Sequence, residues 1–291
     1  MRNPDRSVNR PMPYAASEPV VLVTRPRPGV VQAALNRPHR KNALTEEVFR
    51  ALGDLCAELR EDRSARVLVL TGAGETFSSG YDIDEVGRVA SLEPQDLMAL
   101  LDRQGRVVSA LCDLPQTVVA AVDGVAAGAG LSLALAADLR VLSARARLRA
   151  AFVRMGLSGG DMGASWLLPR IAGLGFASDM LLTGRFVDAD EALRRGVANR
   201  VTTGGDLMAT ALDAAEQIAD NSPVSLRLTK HILQANTDAP SLEVALRAEA
   251  SVQVAAAKSP DVQEAVAAFR ERRAPRFGAA PNETDSTEEQ P

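Results

Sequence analysis

Histidine is almost missing from this chain: His39 and His231 are the only two in 291 residues. One lies in a basic turn and the other in a stretch with helical spacing, so no pair exists for a metal-ligand set or a Ser/His/Asp triad. Each reads as structural, and no metal is expected. Cysteine is equally scarce. Cys56 and Cys112 each sit in an apolar helical pattern and read as reduced core residues. Positive charge is not in excess: 33 Lys plus Arg face 37 Asp plus Glu, a net charge of -4, which argues against a general nucleic-acid binder. No apolar run approaches the roughly 20 residues needed to cross a bilayer. The opening MRNPDRSVNRP also lacks an apolar signal core. These absences lead us to expect a cytoplasmic protein with no membrane and no nucleic-acid partner.

What is present is ordinary globular composition, 46% hydrophobic and 24% charged, in a chain long enough for one large domain or a domain with a helical extension. Its most organised stretch is Gly124 to Asp138, GVAAGAGLSLALAAD. The apolar run Thr117–Val122 reads as a buried strand, stops at Asp123-Gly124, and leads through a small-residue turn into an Ala/Leu-rich helix. Gly128 and Gly130 permit close backbone approach, and the first helical turn leaves N–H groups unpaired. A second strand, Arg66–Thr71, feeds Gly72-Ala73-Gly74 and then Phe77-Ser78-Ser79-Gly80-Tyr81-Asp82-Ile83. Two glycine turns at the carboxyl ends of neighbouring strands can aim two backbone N–H groups at one oxygen, stabilising charge that develops on a carbonyl.

Leu35-Asn36-Arg37-Pro38, Asn42-Ala43-Leu44 and the two glycine turns, with Ser222-Pro223, Leu228-Thr229-Lys230 and Glu264 to Phe269 further on, resemble the crotonase superfamily of enoyl-CoA hydratases and isomerases. The resemblance spans about residues 18 to 277. It implies an α/β fold with a crotonase-like repeated ββα spiral core and an all-helical C-terminal trimerisation region. The expected divisions are a flexible arm at 1–16, the catalytic core at 17–205, the helical oligomerisation region at 206–277 and a disordered acidic tail at 278–291. It further implies an acyl-CoA substrate, with coenzyme A part of that substrate rather than a separate cofactor, and a homotrimer or homohexamer. The oxyanion donors fall on the N–H groups of Tyr81 and Ala129. Arg40 and Lys41 become contacts for the CoA diphosphate, Arg273 and Phe277 contacts to a neighbour's CoA site. Ala43, Ser79, Gly80, Asp82, Ile83 and Gly128 are placed around the substrate.

The residues that choose the reaction depart from the familiar hydratase, in which two glutamates activate water and deliver a proton. Where the first is expected stands Ser132; where the second is expected stands Phe152. Asp161, in Gly156-Leu157-Ser158-Gly159-Gly160-Asp161-Met162-Gly163, is the acidic group close to the site. Some isomerases of the family carry an aspartate after the equivalent glycine, where it moves a proton between carbons. The residues also suit Asp161 as the cap of a helix beginning at Met162. Ser132 suits either a held water or a bond to its own helix backbone, and Glu85 reads as solvated. The expectation is therefore an enoyl-CoA hydratase/isomerase favouring double-bond isomerisation through Asp161. An acyl-CoA thioester hydrolase and a non-catalytic CoA-ester-binding relative are the alternatives.

Overall fold

Apolar strands that are buried on both faces organise the molecule, seen here in a computed structural model that describes residues 18–89, 91–202 and 207–278. The expected arm at 1–16 and, apart from Gly278, the expected tail at 278–291 lie outside the described residues. In chain order the elements begin β1 (Val21–Arg27), β2 (Val30–Leu35), α1 (Glu46–Glu61), β3 (Val67–Gly72), α2 (Ile83–Val89), α3 (Pro94–Cys112), β4 (Thr117–Val122), β5 (Val125–Ala127), α4 (Ala129–Leu135) and β6 (Leu139–Ser143). There follow β7 (Arg147–Arg149), α5 (Ala164–Ala172), α6 (Leu174–Thr183), β8 (Phe186–Asp188), α7 (Ala189–Arg194) and β9 (Arg200–Thr202). Four helices follow among the described residues: α8 (Leu207–Ala219), α9 (Pro223–Thr237), α10 (Leu242–Ala257) and α11 (Pro260–Glu271).

Six strands form one sheet in the order β1-β2-β3-β4-β6-β9, parallel from β2 onward with β1 antiparallel at the edge. A smaller sheet, β5-β7-β8, branches off beside it. Successive strand–strand–helix units thus wind as a spiral, the α/β architecture that the sequence resemblance implies. Alternate residues of the large sheet serve two cores. Leu68, Leu70, Val118, Ala120 and Val122 face α1, α3 and α4, while Val67, Val69, Val119 and Ala121 meet α8. Burial on both faces is why these strands read as unbroken apolar runs and show no alternation. The helix α8, N-terminal in the all-helical region, is thus the second layer of the core.

The expected N-cap Thr45 accepts the Val48 N–H, as an amphipathic α1 needs. Elsewhere local structure departs from expectation. The first strand continues through Arg25-Pro26-Arg27, the turn being Pro28-Gly29, because an irregularity between Thr24 and Arg27 tolerates the proline there. The stretch after Asp123 is a short strand, β5, paired to β7. Three residues are too few to show a period. Helix α5 begins at Ala164 with Gly163 as its cap, two residues later than expected, since Met162 and Gly163 both hold positive φ.

Two cations, Arg140 buried and Lys230 half-buried, tie elements of the core together. Arg140, 5% exposed, donates to the main-chain oxygens of Ala137 and Val197 at 2.6 and 2.5 Å, binding the end of α4 to the loop before β9. Burial pushes its pKa down to about 10, so it stays charged at neutral pH. Lys230 of α9 reaches Asp138 at 2.8 Å, and Asp138 also accepts the Val118 N–H. Burial pushes both cysteine thiols up to about 11, which leaves them as inert thiols. No helix among the described residues is long and apolar enough to cross a membrane.

Candidate active site

The sequence Leu35-Asn36-Arg37-Pro38 … Asn42-Ala43-Leu44 builds the frame that holds the first glycine turn. Lys41 and Asn42 both take left-handed φ, which turns the chain sharply back. The Asn42 side chain donates to the main-chain oxygens of Ala73 and Thr76 at 2.9 and 2.6 Å and accepts the Arg37 N–H at 2.9 Å. The Ser78 hydroxyl donates to the Asn42 carbonyl at 2.8 Å. Two further main-chain bonds, Leu44 N to Gly80 O at 2.8 Å and Asp82 N to Leu44 O at 3.0 Å, flank Tyr81 and fix its peptide.

The second turn is laid directly on the first. The Phe77 N–H donates to Asp123, that of Ser78 to Val125, and that of Ala127 back to Ser78. Helix α4 approaches so closely that a Cβ on Gly130 would stand 2.7 Å from the Ser78 Cβ and carbonyl oxygen. A Cβ on Gly80 would stand 2.7 Å from the Ala127 oxygen and 3.5 Å from the Ala129 nitrogen. The Ala129 nitrogen therefore lies close to the Gly80–Tyr81 main chain, although Ala129 itself is fully buried and lines neither of the two adjoining cavities. The N–H groups of Tyr81 and Ala129 donate to no acceptor among the described residues. Two unpaired donors side by side are the arrangement that a developing oxyanion requires.

Two cavities meet at this point, sharing Tyr81, Val86, Met155 and Leu157. One, of about 350 Å³, is lined by Arg40, Ala43, Ser79, Gly80, Asp82, Ile83, Gly128 and Phe152 together with Tyr81. The other, of about 390 Å³, is lined mainly by apolar side chains of α2 and α3, and also by Glu85, Gln104 and Asp161. Most of the expected site residues are thus gathered around a single bent cleft.

Four expectations change in detail. Lys41 is exposed and off the cavity wall, its contribution being the main-chain oxygen that accepts Ser79 N–H at 3.0 Å. The Arg40 guanidinium is already held by Asp82, at 2.9 Å, and by Asp84. Ser132 is fully buried inside α4, lines neither cavity, and its hydroxyl has no partner. Asp82, 3% exposed, faces the protein as well as the cleft, clamped by Arg37 and Arg40 at 2.9 Å each. Burial raises its carboxyl pKa, but the hydrogen bonds from Arg40 and Arg37 outweigh that and hold it below the usual range. Arg37 and Asn42, which brace the turn, belong to the sequence motif but were not expected among the site residues. Among the C-terminal residues, Arg273 pairs with Glu264 within its own chain, and the Phe277 carbonyl accepts from Arg66 at 2.6 Å.

The Phe152 ring lies 3.8 Å from where a Cβ on Gly128 would stand, so an apolar wall occupies the side where a second carboxylate would be needed. Asp161 is not the cap of α5; its Oδ1 accepts the N–H of Met162 at 2.9 Å. Burial raises its carboxyl pKa, with the Tyr81 hydroxyl and the Met162 N–H opposing. The Tyr81 hydroxyl faces Asp161 closely enough for each to shift the other's titration, yet stops short of a formed hydrogen bond. Glu85, half-buried, has its carboxylate oxygens 3.2 and 3.4 Å from the N–H of Glu46, at the start of α1. No group of three or more His, Cys, Asp or Glu residues among those described could hold a metal ion.

The family model for enoyl-CoA hydratase/isomerase matches residues 26–280. A Mycobacterium tuberculosis protein named "probable enoyl-CoA hydratase" is 40% identical over 269 residues, 91% of this chain and 94% of its own. The 1,2-epoxyphenylacetyl-CoA isomerase of Escherichia coli is 34% identical over 250 residues, 86% and 95% of the two chains. Among solved structures, one from Streptomyces coelicolor has a TM-score of 0.85 at 41% identity, covering 93% of this chain and 99% of its own. The enoyl-CoA hydratase from Mycobacterium smegmatis has a TM-score of 0.84 at 32% identity, covering 90% and 100%.

Proposed function

The chain belongs to the enoyl-CoA hydratase/isomerase family, and from that premise we propose that it isomerises the double bond of an enoyl-CoA thioester, with Asp161 carrying the proton. As a carboxylate, Asp161 takes a proton from the α carbon of a β,γ-enoyl thioester. The electron pair moves into the thioester carbonyl, whose oxygen gains charge opposite the N–H groups of Tyr81 and Ala129. The Asp161 acid then returns the proton to the γ carbon, leaving the α,β-enoyl product with no water consumed. Each such donor commonly lowers a barrier by about 3–4 kcal/mol.

The observation that carries this reading is the pairing of one acidic wall with one apolar wall. Asp161 stands in the cleft beside Tyr81, while the positions that would supply two hydratase glutamates are the buried Ser132 and the Phe152 ring. A raised pKa also makes the Asp161 carboxylate a stronger base than an exposed one. We place coenzyme A in the cavity of Arg40, Ala43 and Gly80 as part of the substrate, and the protein in a homotrimer or homohexamer. Exposed apolar side chains on the C-terminal helices, Leu242 at 74% and Phe269 at 86%, support the assembly.

The test is a panel of saturated, α,β-enoyl and β,γ-enoyl-CoA thioesters, with products identified by mass and by double-bond position. Isomerisation gives a product of unchanged mass with the double bond moved. A gain of one water marks hydration, free CoA thiol marks hydrolysis, and binding without turnover marks a non-catalytic relative; any of these as the sole outcome refutes the proposal.

A further inference from the structure

The apolar cavity contains polar groups that the proton transfer does not use. Gln104 lies on the buried stripe of α3, 4% exposed, in a wall of that cavity. Its amide forms no hydrogen bond among the described residues and is not among their sealed polar atoms; Gln104 also borders a second hollow, between α1 and α3. The Tyr81 hydroxyl, by contrast, is sealed as Ser132's is and faces Asp161, so it belongs to the surroundings of the proton carrier. Glu85 differs: its carboxylate is already turned to the start of α1.

A cavity built for a hydrocarbon tail would seat Leu or Met at such a position. Buried amides and hydroxyls cost free energy when a ligand displaces their water and offers no hydrogen bond in return. We infer that the acyl group bound here carries a hydroxyl or keto oxygen beyond its β carbon, and that Gln104 recognises it. The amide both donates and accepts, so it suits an oxygen that a purely hydrocarbon chain lacks. This inference rests on the reading of the cleft as an acyl-CoA site, and it names the class of acyl group that the site prefers.

The experiment compares hexanoyl-CoA with its chain-hydroxylated and chain-keto derivatives, all lacking a carbon–carbon double bond to move, by calorimetric titration on the wild-type protein. At least one oxygen-bearing ester should bind roughly tenfold or more tightly than hexanoyl-CoA, the size expected of one buried polar group left unpaired. In Gln104→Leu, which keeps the side-chain volume, that preference should collapse to about twofold or less, with hexanoyl-CoA binding as well as before or better. Equal or tighter binding of hexanoyl-CoA by the wild type overturns the inference whether or not the variant folds, as does a preference that survives the substitution. If no ester of the set binds, the CoA-thioester reading falls with it; equal binding of all overturns only the inference.

Discussion

Replacing Gly130 by alanine isolates the mechanical link between the two glycine turns. The new Cβ would stand 2.7 Å from both the Cβ and the carbonyl oxygen of Ser78 and 2.8 Å from its hydroxyl. That is about 1 Å inside ordinary carbon–carbon contact. Neither side can yield locally. Ser78 is fully buried and its hydroxyl is bonded to Asn42, while its carbonyl accepts Ala127 N–H. The first turn of α4 must therefore lift from the Phe77–Tyr81 segment, carrying the Ala129 N–H away from that of Tyr81. Overpacking of this kind costs ~1–3 kcal/mol of stability. A displacement near 1 Å at a reacting group costs roughly 10²-fold in rate. Turnover should therefore fall by about two decades, with much of the fold retained. Thermal unfolding and kcat on the best substrate of the panel measure the two effects separately. Gly105→Ala is the control: it sits in α3, where an added Cβ would meet nothing within 4 Å, and should hold activity while gaining up to ~1 kcal/mol. A Gly130→Ala enzyme with undiminished kcat would refute the claim that the packing of these turns sets the donor geometry.

Three further outcomes follow from Asp161 and Ser132. Asp161→Asn should lower kcat by ~10²–10⁴-fold while the dissociation constant for a saturated CoA ester holds; unchanged turnover would leave Asp161 as a local brace of the Met162 N–H. Because burial raises the Asp161 pKa above its ordinary 3.8 and the base form does the work, kcat/KM should fall as pH drops through that raised value. The acid limb should thus lie above the ordinary carboxylate range in a pH–rate profile and vanish from the residual activity of Asp161→Asn. Ser132→Ala removes a buried hydroxyl with no partner, so urea unfolding should show a neutral to stabilising change of up to ~1–2 kcal/mol. Lost turnover in that variant would return Ser132 to the substrate's surroundings.

What could be read from the sequence was whatever depends on local chain chemistry. The buried strands at 67–72 and 117–122, the Thr45 cap and the helix at 242–257 all announce themselves through apolar runs, caps and period, and the glycines mark where two main chains must touch. What stayed hidden depends on partners distant along the chain. Arg40 and Lys41 look alike as basic residues, yet Asp82 and Asp84 claim the first and leave the second in solvent. Asp161 resembles a helix cap until the left-handed backbone at Met162 and Gly163 delays the helix to Ala164. Gln104 gives no signal at all, because a single polar residue on a buried stripe acquires meaning only when a cavity is seen beside it.

Tyr81 stands at the bend where the two cavities join, and it divides its labour between peptide and ring. Any amino acid except proline supplies the same amide hydrogen there, whereas the side chain helps to shape both cavities, and on the proposed reading the space for the acyl tail. Substrate range can accordingly drift by exchange at this one position while the machinery for handling charge persists, which makes it a natural first place to look when relatives diverge in diet, or when a designer wishes them to.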